Sequence, residues 1–215
     1  MTPITDIHTH HLRHNAIVAV TPDHPRPDGY LYSIGLHPWH ITPQLLPAQL
    51  DSLTQIAESS PAIVAIGETG IDRLRGPQIE LQIQAFQSHI RLSEQLRNPL
   101  IIHCVRALDI ILNLHATHRP RSPWIIHGFR LGPASARQLL DRGLFISLGP
   151  RFNPDTARTI PADRLLIETD DDPTATIDTV ASAVATARST TPAQILDLSA
   201  ATIRHLFPTH LSDTL

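Results

Sequence analysis

The sequence predicts an α/β protein of the TIM (β/α)8-barrel type, compact and irregular in its second unit. Three observations lead there. Short apolar runs recur eight times, segments of helical periodicity separate most of them, and histidines and carboxylates collect where the runs end. Alternating strand and helix implies a parallel sheet, and eight strands are the number that closes one into a barrel. At 215 residues with 41% hydrophobic content, the chain is long enough for one domain over residues 1–215.

In chain order, strands are expected at 4–10, 16–20, 31–36, 62–67, 99–103, 123–127, 144–148 and 164–168. The runs Ala62 to Ile66, Leu100 to Ile102, Trp124 to Ile126 and Leu165 to Ile167 are almost continuously apolar. That pattern suits parallel strands covered on both faces. Helices are expected at 47–58, 78–97, 105–116, 133–142, 174–188 and 192–206. The second opens after Pro77 and carries Ile79, Ile83, Phe86 and Ile90 at helical spacing. The fourth opens at Pro133 and stops at Gly143, a residue suited to a left-handed cap. The gaps 11–15 and 21–30 are too short for full crossover helices, which makes the barrel irregular there.

Composition removes several chemistries. All 17 basic residues are Arg and none is Lys, so Schiff-base, Walker-loop, pyridoxal-phosphate and carbamylated-lysine chemistry are excluded. A net charge of −3 argues against a polybasic nucleic-acid coat. The single Cys104 rules out a disulfide framework and a cysteine-rich zinc module, and makes the cytoplasm the expected compartment. No basic n-region precedes an apolar stretch, and no run approaches the ~18–20 apolar residues of a spanning helix, so neither secretion nor a membrane partner is expected.

The remaining signal lies at the strand ends. Period two along Asp6-Ile7-His8-Thr9-His10 directs Asp6, His8 and His10 to one face. Glu68 follows the fourth strand, His103 ends the fifth, His127 the sixth, and Glu168-Thr169-Asp170 the eighth. Active sites of such barrels are built at this C-terminal face. Four imidazoles and two carboxylates on one rim suffice for two divalent ions with a bridging carboxylate. Each residue alone also has a structural reading: Glu68 as a helix-starting carboxylate, His103 or His127 as a core histidine, Asp170 as the N-cap of the helix at 174. The other histidines divide three ways. His14, His24, His89, His115, His118, His205 and His210 read as surface residues, and His11 and His40 read either way. His37, closing the third strand in Gly35-Leu36-His37-Pro38, reads as a residue that supports a ligand or touches substrate.

Taken together, Asp6-Ile7-His8-Thr9-His10, Gly35-Leu36-His37-Pro38, Gly67-Glu68-Thr69-Gly70-Ile71-Asp72, Pro99-Leu100-Ile101-Ile102-His103, His127-Gly128-Phe129 and Glu168-Thr169-Asp170 resemble the TatD family of metal-dependent hydrolases. The match runs in the same order from residue 4 to about 170, and Leu206-Phe207 also fits. The resemblance implies two divalent metals on His8, His10, Glu68, His103, His127 and Asp170, with Glu68 as the bridge. It also implies nuclease activity on DNA, exonuclease in character. Three departures stand out: the short segment between residues 11 and 35, Thr202 where the family commonly has Asn, and Arg73 where an aromatic residue often follows. The chain is therefore similar to a compact subgroup.

The expected reaction is hydrolysis of a phosphodiester by a metal-activated water, with Asp170 orienting the water and taking its proton. Arg106 and Arg130, three residues past His103 and His127, are the candidates for phosphate contacts; Arg73 and Arg151 are weaker ones. Phe129, Phe152, Trp39 and His37 are candidates to stack one or two bases, since 4% aromatic content leaves no extended platform. The expected substrate is therefore short or single-stranded DNA, the metals Zn, Mn or Mg, and no obligate protein partner is expected. Two rivals use the same residues: a metal-dependent amidohydrolase-type enzyme acting on a small molecule, and a non-catalytic metal-binding scaffold.

Overall fold

In a computed structural model, which describes residues 3–207, each of the eight apolar runs forms a strand. They are β1 (Asp6–Thr9), β2 (Ala16–Val20), β3 (Leu31–Ile34), β4 (Ile63–Asp72), β5 (Leu100–Val105), β6 (Trp124–Ile126), β7 (Phe145–Leu148) and β8 (Leu165–Ile167). They follow one another in chain order as a closed barrel. The helices are α1 (Leu46–Ser59), α2 (Ile79–Leu96), α3 (Leu108–His118), α4 (Pro133–Leu140), α5 (Pro154–Thr159), α6 (Ile177–Arg188) and α7 (Pro192–Leu206). Among the described residues no helix joins β1 to β2 or β2 to β3, as those short links require. Packing divides the chain into two units. One is Ala19–Trp124; the other is made of the described residues of Met1–Val18 and Ile125–Leu215.

Within Ala19–Trp124 the longest strand is β4, and all ten of its residues are buried. It runs five residues past the apolar stretch that announces it, so Glu68 stands inside the strand and not after it. The reason is the pairing with β5, which continues through Thr69↔Ile102, Gly70↔His103, Ile71↔Cys104 and Asp72↔Val105. That ladder satisfies the backbone of a segment whose side chains alone do not read as buried. From α2, Gln82 completes the end of the strand: its Oε1 accepts from the Asp72 amide at 2.8 Å and its Nε2 donates to the Asp72 carbonyl at 3.0 Å. The same helix buries Phe86, whose ring meets Trp124 edge-on with centroids 5.5 Å apart. Burial of such a side chain contributes about 2–3 kcal/mol. Helix α3 starts at 108, not 105, because β5 extends to Val105 and Arg106 then takes a left-handed φ of 50°.

His89 corrects a sequence expectation. It reads as a surface residue, yet its exposure is 0%, because it lies one helical turn from Phe86 on the face α2 turns inward. Its Nε2 accepts from the Leu36 amide at 2.9 Å and its Nδ1 donates to the Ala85 carbonyl at 2.8 Å. The ring thus satisfies a backbone amide just past β3, where no strand partner does so. His210 lies outside the described residues.

In the other unit β1 pairs with β2 and β8, and β7 pairs with β6 and β8. Helix α6 begins at 177 rather than 174, because Thr176 and Thr179 form a reciprocal capping box and fix the first turn. Thr191 and Gln194 do the same for α7, with Pro192 in its first turn. The short α5, too brief to show periodicity in sequence, is capped by Asn153, which accepts from the Asp155 and Thr156 amides. Ile195, Ile203 and Phe207 close this interior.

Burial pushes the His89 imidazole down to about 4 from its ordinary 6.5, the Ala85 hydrogen bond opposing. The folded state therefore resists a proton that the unfolded chain accepts below about pH 6.5. Stability is lost as pH falls from there towards 4, at up to about 1.4 kcal/mol per pH unit, and the loss levels off below. His89→Gln keeps one acceptor and one donor but does not titrate. In denaturant titrations at pH 7 and pH 4.5, the wild type is expected to lose about 2–3 kcal/mol more than the variant. Equal acid sensitivity would refute this account.

Candidate metal centre

In the unit containing β1 and β8, the pairing Asp6↔Ala16 followed by Thr9↔Val18 places one extra residue in β1. The bulge falls at Ile7-His8 and breaks strict alternation. Asp6 consequently does not join the histidines as period two predicts. It is fully buried, and its carboxylate accepts from the Thr169 amide at 3.2 Å and the Thr169 hydroxyl at 2.7 Å. Burial raises its pKa to about 7 against the Thr169 hydrogen bonds. His8 and His10 remain together. Their Nε2 atoms lie 3.7 and 3.8 Å from the same oxygen, Asp170 Oδ1.

Asp170 owes that position to its backbone. Its φ is 56°, in the left-handed region that Asp tolerates better than most residues. Its amide donates to the His8 carbonyl and its carbonyl accepts from the His10 amide, at 3.0 and 3.1 Å. It does not cap the following helix; Thr176 does. His127, packed 4.3 Å from the His8 ring, turns Nδ1 to Glu168 Oε1 at 3.3 Å. The same oxygen accepts from the Gly128 amide at 2.7 Å.

In the unit containing β4 and β5, a second extra residue falls between Ile66↔Leu100 and Thr69↔Ile102. The bulge is at Gly67-Glu68. Glu68 Oε1 meets His103 Nδ1 at 2.8 Å and His37 Nε2 at 3.2 Å. Four residues on, Asp72 Oδ2 lies 3.3 Å from His103 Nε2 and accepts from the Trp39 indole at 2.6 Å. Its other oxygen accepts from the Leu74 and Arg75 amides. Burial raises the Asp72 pKa, but the hydrogen bonds from Trp39 and Leu74 outweigh it and hold the carboxyl below its usual range. Arg75 stacks 3.7 Å above the Trp39 ring.

The residues singled out from sequence therefore fall into sets of metal-ligating type. His8, His10 and Asp170 form one, His127, Glu168 and Asp170 another, and His37, Glu68 and His103 a third, each with ligand atoms within 4.8 Å of one another. A cation suits this chemistry on an independent ground. Glu168 Oε2 is buried without a hydrogen-bond partner among the described residues, a state that costs several kcal/mol unless a positive group meets it. His37 stands among the ligand-type residues of its set. Arg106 and Arg130 are both exposed. Phe129 departs from expectation: at 4% exposure it packs in the interior and offers no face for stacking. Arg73 is engaged too, forked onto Asp109 with both bonds at 2.7 Å. Sequence reasoning missed Glu168 and Asp72 as partners of His127 and His103. The signal was present in the two-residue spacing of Glu168 from Asp170 and of the Glu68, Gly70 and Asp72 positions along one strand.

A family model described as TatD related DNase matches residues 5–208. The chain belongs to this family. Among curated TatD relatives it is 32% identical to the uncharacterised metal-dependent hydrolase YcfH of Escherichia coli K12, covering 66% of this chain and 56% of the relative. It is 34% identical to the 3'-5' ssDNA/RNA exonuclease TatD of Salmonella typhimurium, covering 63% of this chain and 55% of that one. The chain thus spans little more than half the length of the curated TatD relatives it matches. Among solved structures it resembles YJJV, a TatD homologue of E. coli K12, with a TM-score of 0.76, 22% identity, and coverage of 90% of this chain and 86% of that one. A TatD-family hydrolase of Entamoeba histolytica gives 0.70 at 18% identity, covering 82% and 74%. Both likenesses show the same fold. No helix among the described residues is long and apolar enough to cross a membrane.

The set around Glu68 depends on Gly70, whose φ is 148° and whose Cβ, if present, would stand 2.0 Å from the His103 carbonyl oxygen. Nothing there yields, because the obstacle is backbone of β5. Gly70→Ala is expected to lower stability by roughly 3 kcal/mol or more, read as a drop in thermal midpoint. An unchanged midpoint would show that the β4 and β5 strands separate at no cost.

Proposed function

We propose that the chain is a two-metal-dependent phosphodiesterase acting on nucleic acid, with residues 1–215 working as a single hydrolase domain. The observation that supports this most directly is the pair of ligand sets, His8, His10 and Asp170 in one unit, at or past the ends of β1 and β8, and Glu68 and His103 in the other, in the C-terminal halves of β4 and β5. His127 stands with Asp170 in the first unit. These residues would hold one divalent ion in each unit, and imidazole with carboxylate suits Zn or Mn while leaving room for Mg. Divalent ions so held supply acidification of water and polarisation of a phosphoryl oxygen.

The chain's own groups account for the remainder. Asp170 is 21% exposed in its side chain, enough to meet a water, and its backbone is hydrogen-bonded at both amide and carbonyl, with one carboxylate oxygen near both His8 and His10. It orients the water and accepts its proton. Glu68 and Asp170 are the catalytic residues in this reading. Arg106 and Arg130, exposed and past strands β5 and β6, bind phosphate oxygens with a guanidinium fork. Trp39, His37 and Phe152 are partly exposed and take a terminal base. So few aromatics favour a short or single-stranded DNA end over a duplex track, in keeping with the name of the Salmonella relative. Among the described residues, four large apolar ones stay exposed, Leu12, Leu45, Leu74 and Leu131, and they fall in segments following β1, β3, β4 and β6, where a substrate would supply apolar contact. With Cys104 the single cysteine of the sequence, the cytoplasm remains the proposed compartment.

The test is hydrolysis of 3'- and 5'-labelled single-stranded oligonucleotides by metal-stripped protein resupplied with Mg, Mn or Zn. Cleavage is expected only with metal, and Asp170→Asn is expected to lower it about 100- to 10,000-fold, the usual loss when a positioned base is removed. Glu68→Ala should abolish it together with one metal equivalent. If the wild type binds two equivalents and leaves every oligonucleotide intact while cleaving a small amide, the amidohydrolase-type reading replaces this one.

The arginines make a separate prediction. Arg106→Ala and Arg130→Ala are each expected to raise KM about 10-fold or more with kcat nearly unchanged, since a charge-assisted hydrogen bond to phosphate contributes about 1.5–3 kcal/mol. Steady-state kinetics at two salt concentrations check it, because a phosphate contact also leaves a shallower salt dependence when lost.

A further inference from the structure

His103 has a carboxylate on each ring nitrogen, and the two carboxylates are placed differently. Glu68 Oε1 lies 2.8 Å from Nδ1 and also meets His37. Asp72 Oδ2 lies 3.3 Å from Nε2 and is held by the Trp39 indole at 2.6 Å. Glu68 belongs to a set able to hold an ion, whereas Asp72 does not. Asp72 is 2% exposed and all its other hydrogen bonds come from donors: the Trp39 indole and the amides of Leu74 and Arg75. A carboxylate ringed by donors is an acceptor only, so what it asks of His103 is a proton on Nε2. A neutral imidazole with its proton on Nε2 has its lone pair on Nδ1.

We propose that Asp72, anchored by Trp39, is a positioning residue that holds the His103 proton on Nε2 and thereby commits Nδ1 to the ion His103 shares with Glu68. The proposal rests on the reading above that Glu68 and His103 hold a divalent ion. It adds why one ring nitrogen faces that ion and the other does not. The geometry is built from three separate segments: Trp39 from the turn after β3, Asp72 from the last residue of β4, and His103 from β5. Gln82 fixes the Asp72 backbone from both sides of its peptide, so the carboxylate cannot follow the imidazole if it swings away. Partners behind a ligating histidine fix its tautomer and orientation, and their loss lowers metal affinity by about 10- to 100-fold.

Asp72→Asn isolates the effect. The amide oxygen can still accept from the Leu74 and Arg75 amides, because flipping the group would set its NH2 against two N–H donors. At the former Oδ2 position an NH2 then faces the Trp39 and His103 N–H groups, donor against donor, and the Nε2 proton has no acceptor. The probe is zinc alone, titrated into metal-stripped wild type, Asp72→Asn, His103→Ala and the double variant. One of the bound equivalents is expected to weaken about 10- to 100-fold in Asp72→Asn, while the metal-free protein stays folded with a lower thermal midpoint, because buried donors are left unpaired. In the His103→Ala background the same substitution is expected to change nothing further, because Asp72 acts through that ring. Nitrogen-15 shifts of the zinc-loaded protein should show His103 metal-bound at Nδ1 and protonated at Nε2 in the wild type, and a disturbed pattern in Asp72→Asn. Equal zinc affinity in wild type and Asp72→Asn overturns the proposal while leaving the metal reading standing. So does an equal loss in both backgrounds, which would mark Asp72 as a structural residue only. A wild type that binds no zinc, manganese or magnesium overturns both.

Discussion

Parallel pairing of β4 with β5 governs the chemistry of the unit that contains them. Ten successive residues of β4 are buried, and the last five include two carboxylates, a burden that an apolar interior does not tolerate unaided. The ladder to β5 removes the backbone part of that cost as far as Asp72. What remains is the side-chain part, and it is met by partners the ladder itself brings up: His103 for Glu68, and His103 with Trp39 for Asp72. Glycine is needed where the strands come closest, since any Cβ at Gly70 would overlap the His103 carbonyl. The interaction that lets polar residues stay inside also sets the ligand geometry.

Bulges do the aiming. A regular strand sends successive side chains to opposite faces, which gives every second residue to a site. In both β1 and β4 one extra residue interrupts that rhythm at His8 and at Glu68. Each interruption leaves a ligand-type side chain beside a second one, Asp170 past the end of β8 for His8 and His103 of β5 for Glu68. The same device explains why Asp6, two residues before His8, turns to Thr169 and serves as a structural anchor. Bulges collect next to active sites for this reason; Gly67 marks the β4 bulge in the sequence, and no glycine marks the one in β1.

Histidine plays two opposed parts here, and its environment decides which. His89 is sealed in the interior with one donor and one acceptor, and burial keeps it neutral across the physiological range. His8, His37, His103 and His127 sit beside carboxylates, in sets of metal-ligating type. His89 belongs to the folding of α2 against the strand ends, a role that only packing reveals.

The sequence by itself determined the strand number, their parallel order and the ligand candidates, because continuous apolar runs and strand-end polar residues are local patterns with one economical reading. His8, His10, Glu68, His103, His127 and Asp170 could be chosen on position alone. Tertiary structure decided everything that depends on a partner distant in the chain. It drew β4 out to Asp72 through β5, buried Phe129 and His89, placed Asp72 behind His103 and Glu168 behind His127, and moved the start of α6 to Ile177. The physical reason is the same in each case. Burial and hydrogen-bond satisfaction are properties of pairs, and a linear pattern records only one member of each pair.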